Sequence, residues 1–192
     1  MSSPTTVEIP GYIAGTWDFD PAHTYVGFVV RHLVVTKVRG RFETVEGHIH
    51  TAENPLDSTV EVSVDLNSVN TNNETRDNHL RSADFFEVEK YPRMTFRSTG
   101  IRPDGDAFVL DGELTIKDVT RPVSLNFELS GFGKDPWGGT RLGLEAKGEI
   151  NRKDFNVNFE GVQDGIAVVA DKIELVIDVE AVLRKDDAPA ES

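Results

Sequence analysis

Apolar and polar residues alternate with a period of two through almost the whole chain. The clearest runs are Val60, Val62, Val64, Leu66; then Phe108, Leu110, Gly112, Leu114, Ile116; and finally Ile173, Leu175, Ile177, Val179, with Glu174 and Asp178 among the residues between. Successive side chains of a strand point to opposite faces, so each run hides one row and wets the other. A sheet with one large apolar face must cover it, and the chain predicts too little helix to do so. The sheet therefore covers itself by closing. The expected fold class is all-β, an extended eight-stranded antiparallel β-barrel with one short helix near the barrel end.

At 192 residues the chain is long enough for one such domain with a substantial core. Residues 1–14 are rich in Ser, Thr and Pro and read as a flexible N-terminal arm; residues 184–192 read as a disordered C-terminal tail. Residues 15–183 are left as the barrel domain. There are 33 acidic against 20 basic residues, a net charge of −13 that repels phosphate backbones and anionic membrane surfaces, so no nucleic-acid partner is expected. The absence of cysteine removes disulfides and thiolate chemistry. No apolar run is long enough for a membrane span, and no basic segment followed by an apolar one opens the chain. No stable membrane insertion is expected, and residence in the cytoplasm is.

One stretch breaks the alternation, SVNTNNETRDNHLRSADFF at 68–86. Thr71 with Glu74 three residues later reads as a capping box, predicting a helix from Asn72 to about Arg81. Leu80, Phe85 and Phe86 would dock it on one end of the barrel. Upstream, a third strand is expected through Phe42 to Ile49.

The inward rows are the main candidate for function, because they are long, aliphatic and interleaved with Phe28, Phe42, Phe96, Phe108 and Phe127. A barrel of this size can be filled by its own side chains or can hold one ligand, and periodicity leaves both open. Gly47, Gly112, Ala146 and Gly148 on the apolar faces are expected to leave space inside. His32 falls in register with Val26, Phe28 and Val30 and should point inward, either as a hydrogen-bonded core residue or as an anchor for a ligand headgroup. His23 and His79 could gather at the same end. Arg76 to His79 read either as a solvated helix face or as a polar rim at a cavity mouth. His48 and His50 share the outer face of one strand at a spacing that can chelate zinc, yet no third ligand is near in sequence, so no metal is expected. Nucleophile elbows, HExxH and Gly-rich phosphate loops are lacking, and neither an enzyme nor a cofactor is expected.

A string of short motifs then resembles the YceI-like family of lipocalin-like polyisoprenoid-binding proteins. It runs through Asp20-Pro21-Ala22-His23-Thr24, Val26-x-Phe28-x-Val30-x-His32-Leu33, Gly40-x-Phe42, Arg76-Asp77-x-His79-Leu80, Asp84-Phe85-Phe86, Tyr91-Pro92-x-Met94-x-Phe96 and Ile150-Asn151-Arg152-x-Asp154-Phe155. The resemblance implies a barrel around an apolar tunnel for a polyisoprenoid, an isoprenoid quinone or a similar long-chain amphiphile, bound for transport or sequestration, and a possible homodimer. Val26, Phe28, Val30, His32, Phe42, Leu66 and Leu80 are the expected lining, together with Phe85, Met94, Phe96, Leu114, Phe127 and Leu144. Arg76 and His79 are the expected polar rim. An enzyme acting on such a lipid, with His32 as acid or base, and a filled-barrel stress-response interaction protein are the alternatives. Asp118 and Asn156 stand where the family usually carries glycine, in turns that Asp and Asn can still make.

Overall fold

The structure, a computed structural model, describes residues 7–33, 35–163, 166–167 and 169–187. Its strands are β1 (Gly15–Phe19), β2 (Tyr25–His32), β3 (Thr36–Phe42), β4 (Val45–Thr51), β5 (Thr59–Asp65) and β6 (Val69–Asn70) in the first part of the chain. After the helix α1 (Glu74–Arg81) come β7 (Arg93–Asp104), β8 (Ala107–Ile116), β9 (Val119–Lys134), β10 (Thr140–Asn151), the short β11 (Val162–Gln163) and β12 (Ile166–Ala167), and β13 (Val169–Leu183).

Three long strands are each broken at the same level of the wall. Asp20–Thr24 separates β1 from β2, Glu43–Thr44 separates β3 from β4, and a 3-10 turn at Leu66–Ser68 separates β5 from β6. Pairing continues across each break: β2 with β3, β1 with β4, β4 with β5 and β3 with β6. The expected third strand through Phe42 to Ile49 is therefore two strands meeting at a corner. There the Glu43 and Thr44 amides donate to the Ser68 carbonyl and hydroxyl instead of a ladder partner. Counting each broken pair once gives eight staves, and β13 closes the ring by pairing with β2 through residues 169–178 and with β1 through Ala181–Leu183. The barrel is an all-antiparallel meander with one helix, as the alternation requires.

The helix starts later than predicted. Asn73, not Thr71, is its cap, its side chain accepting from the Arg76 amide at 2.9 Å, and α1 begins at Glu74. Two tight turns bear on the positions where glycine is the commoner residue. Asn156 is left-handed (φ 58°) after the 3-10 turn Arg152–Phe155, as an Asn can be. In the β8–β9 hairpin the positive φ falls on Lys117 (58°) and not on Asp118.

Candidate functional site: a two-part tunnel

The inward rows do not fill the barrel. A cavity of about 160 Å³ occupies one end, walled by Val26, Phe96, Leu114, Phe127, Leu144 and other mainly apolar side chains. A larger one of about 610 Å³ occupies the other, walled by Phe28, Val30, Phe42, Leu80 and Phe85. Met94, Ile150 and Leu175 belong to both, so the two run end to end along the barrel.

Aromatic rings pack together at the narrow end. Trp17, fully buried, and Tyr12 both meet Phe132 edge-on at 5.6 Å, and the Tyr12 hydroxyl donates to the Ala52 carbonyl. Ile9 and Tyr12, within the segment expected as an arm, line the cavity here. The wide end reaches solvent, since exposed Arg31, Asn73 and Thr75 are part of its wall.

The inward glycines do not leave the space expected of them. Their missing Cβ atoms are replaced by neighbouring side chains: Phe19 over Gly47, Phe96 over Gly112 and Leu125 over Gly148, each within 2.6 Å of where the Cβ would stand. Gly40 and Phe28 form a fourth such pair. Bulky groups so seated lie along the wall instead of crossing the lumen. The glycines widen the tunnel indirectly.

Of the expected lining, Leu66 alone stands outside both cavities. It is fully buried among Phe42, Val45, Val64, Val69 and Val88, because the break after β5 turns it out of the inward row. Arg76, His79 and His32 meet at the wide mouth, as the register of β2 and the helix face allow. His23 does not join them. It lies at the β1–β2 corner with Nδ1 2.8 Å from Asp20, 3.4 Å from Glu180.

Arg76, His79 and Arg152 are each held by neighbours of their own. Asp77 is buried and accepts from the Thr71 amide (2.9 Å) and hydroxyl (2.5 Å). Arg76 in turn donates from Nε to the Thr71 hydroxyl (2.8 Å) and from Nη2 to the Thr71 carbonyl (2.7 Å). Thr71 thus bridges an arginine and a carboxylate instead of capping the helix. His79 pairs with Asp84 at 2.8 Å while its ring stands edge-on between Phe85 and Phe159. Two cationic wall residues escaped sequence reasoning. Arg152 is buried, donating to the carbonyls of Val157 and Ala170 and pairing with Asp171 at 3.1 Å. Its place in Ile150-Asn151-Arg152 was the available signal. Arg31 had none, since alternation puts it on the outer face. Arg31, His32, Arg76, His79 and Arg152 are the ionisable groups of the mouth, and among the described residues no carboxylate lines it.

Elsewhere, Asp20, His23 and Glu180 converge closely enough to hold a cation. Arg141 Nη1 already stands 2.6 Å from Asp20 and 3.6 Å from Glu180, and its guanidinium supplies the charge an ion would bring. Hydrogen bonds from His23 and then Arg141 hold the Asp20 carboxyl down to about 2. His48 and His50 are satisfied separately, near Glu61 and Thr16.

The model of the YceI-like domain matches residues 17–181. The chain belongs to the YceI-like family. Protein YceI of Escherichia coli O157:H7 is 41% identical over 169 residues, which cover 88% of this chain and 86% of that one. The Campylobacter jejuni YCEI protein superposes with a TM-score of 0.69 at 32% identity, over 81% of this chain and 90% of that one. A structure described as a polyisoprenoid binding domain from Saccharophagus degradans shares the fold, with a TM-score of 0.63 at 18% identity over 89% and 99% of the two chains. Membership of the YceI-like family accounts for the barrel and its lumen; the mouth chemistry above is read from this chain's own residues.

Proposed function

We propose that the protein binds one long-chain isoprenoid, isoprenoid quinone or similar amphiphile without transforming it, for transport or sequestration. The observation that carries this reading is the polarity of the tunnel: apolar and aromatic-floored at one end, lined at the other by nitrogen-bearing side chains with no carboxylate among the described residues. An aliphatic tail gains about 0.8 kcal/mol per CH₂ removed from water. A bilayer offers the same gain, so extraction depends on the headgroup. Arg76, His32 and Arg152 would donate to an oxygen-bearing headgroup, for which the planar guanidinium fork is well shaped. The polyisoprenoid-binding description of the Saccharophagus degradans domain supports a tail of this class.

Binding without catalysis fits the way the mouth groups are engaged, His79 with Asp84, Arg152 with two carbonyls and Asp171, and Arg76 with Thr71. Organic extraction and mass spectrometry of protein purified from its native host tests the reading. A stoichiometric long-chain isoprenoid or quinone supports it, and an empty extract from folded protein overturns it. Lipid turnover lost in His32→Ala with binding intact would overturn the non-catalytic part.

A further inference from the structure

The net charge of −13 is not spread evenly over the barrel. The β2–β3 hairpin, Tyr25–Phe42, carries Arg31, Lys37, Arg39 and Arg41 and not one Asp or Glu. All four cations are exposed. Strand alternation places Lys37, Arg39 and Arg41 on the outer face, because Phe28, Val30, Val38 and Phe42 of the same two strands line the mouth cavity, and Arg31 stands at the lip, exposed and part of the cavity wall. Register sets Arg31 directly opposite Lys37 and Arg39 opposite Val29, so the charges gather toward the tip. Arg41 is paired with Glu43 at 3.3 Å, whereas Arg31, Lys37 and Arg39 have no carboxylate within ion-pair reach among the described residues. The neighbouring strand β13 brings Glu174 opposite Val29, and Lys172 already paired with Glu149 at 2.9 Å.

The tip of this hairpin is apolar. Leu33 makes the turn with a positive φ of 52°, and Val35 is 80% exposed. An aliphatic tip flanked by uncompensated cations matches an anionic bilayer, whose surface potential attracts Lys and Arg and whose interface accepts the side chains between them. Nucleic acid would satisfy the charges and waste the tip. We infer that the β2–β3 hairpin is a peripheral docking element for anionic phospholipid surfaces, setting the tunnel mouth against the membrane. The remaining acidic surface opposes prolonged contact, so docking is reversible and weakened by salt. It rests on the hairpin alone and holds whether or not the lumen carries a lipid.

Flotation with phosphatidylcholine vesicles, with and without a minority of phosphatidylglycerol, tests the inference. The protein should bind the anionic vesicles at low salt and release at high salt. Lys37→Glu/Arg39→Glu should weaken binding roughly tenfold or more, and Val35→Asp should weaken it as well. Arg93→Glu/Arg97→Glu on the outer face of β7 makes the same change in net charge and should leave binding unchanged, which separates a local from a global effect. The two tryptophans report orientation: Trp17 is fully buried, and Trp137 is 82% exposed on the β9–β10 hairpin at the opposite end. In the bound state Trp137 should stay open to acrylamide, while a Val35→Trp reporter becomes shielded. Absence of vesicle binding, equal binding to neutral vesicles, indifference to the hairpin variants, or shielding of Trp137 would each overturn the inference. So would a dimer that Val35→Asp splits in the absence of vesicle binding, since the hairpin would then serve self-association.

Discussion

The ring of Phe28 occupies the space that a Cβ at Gly40 would need: the two residues face each other across β2 and β3, and that atom would stand 2.3 Å from the ring's Cζ. The pair decides how wide the mouth cavity is, since Phe28 forms part of its wall. Any side chain at 40 drives the ring into the lumen.

Gly40→Ala should therefore destabilise by about 1–3 kcal/mol, the usual range for overpacking, and reduce lipid occupancy. Combining it with Phe28→Leu should restore much of both losses, as expected for two residues in contact. Denaturant melts and lipid extraction of the two single variants and the double give the cycle. Additive effects would separate the two residues.

Ala146 faces Phe127 across β9 and Ile177 across β13, beside the narrow cavity. In Ala146→Phe the new ring enters empty space, so its cost should stay below the about 1–3 kcal/mol of true overpacking. The chain lengths of coextracted lipids should shorten while the headgroup stays the same. An unchanged length distribution in the mass spectrum would mean that the tail does not reach this end.

Asp77 is the anchor of the mouth network. Replacing it with Ala leaves the buried Thr71 amide and hydroxyl without their acceptor, which should cost about 1–3 kcal/mol and loosen Arg76, which is held by Thr71. Lipid affinity should fall further in Asp77→Ala than in Thr75→Ala, an exposed mouth residue whose side chain makes no hydrogen bond among the described residues. Equal affinities would remove Arg76 from headgroup binding.

The corner between β1 and β2 is sensitive to pH in a predictable direction. The Asp20 carboxyl is depressed from 3.8 to about 2, chiefly by His23 and then by Arg141, so its stabilising contribution is full above 3.8 and disappears as pH falls toward 2. The His23 imidazole is raised from 6.5, chiefly by Asp20 and then by Glu180, so its contribution is full below 6.5 and disappears as pH rises through the folded value. His23 is 60% exposed and solvent screens the pair, so the sensitive readout is its NMR titration and not Tm. In Asp20→Asn the His23 midpoint should move down toward 6.5. No movement would assign the shift to Glu180.

Strands and inward rows were legible because they are local. A residue two places along a strand shares its face whatever the rest of the chain does, which is why Phe28, Val30 and His32 could be placed on the tunnel side. The helix was legible to within two residues, and its cap was misplaced because Thr71 and Asn73 are both competent caps. Asp77 decided between them by drawing Thr71 away. Arg152 was visible as part of a motif but not as a mouth residue, because the carbonyls of Val157 and Ala170 that hold it come from later chain segments.

By itself the sequence determined the barrel, the identity of its inner rows and the chemical character of one end, since period-two alternation acts through nearest-neighbour backbone geometry. Tertiary structure alone decided that the barrel stays open. The glycines are filled by Phe19, Phe28, Phe96 and Leu125 from other strands, Leu66 turns out of its row at a broken stave, and the cations of β2 and β3 meet at one lip of the mouth. Those outcomes depend on register between segments far apart in the chain, and register is set only when the sheet closes.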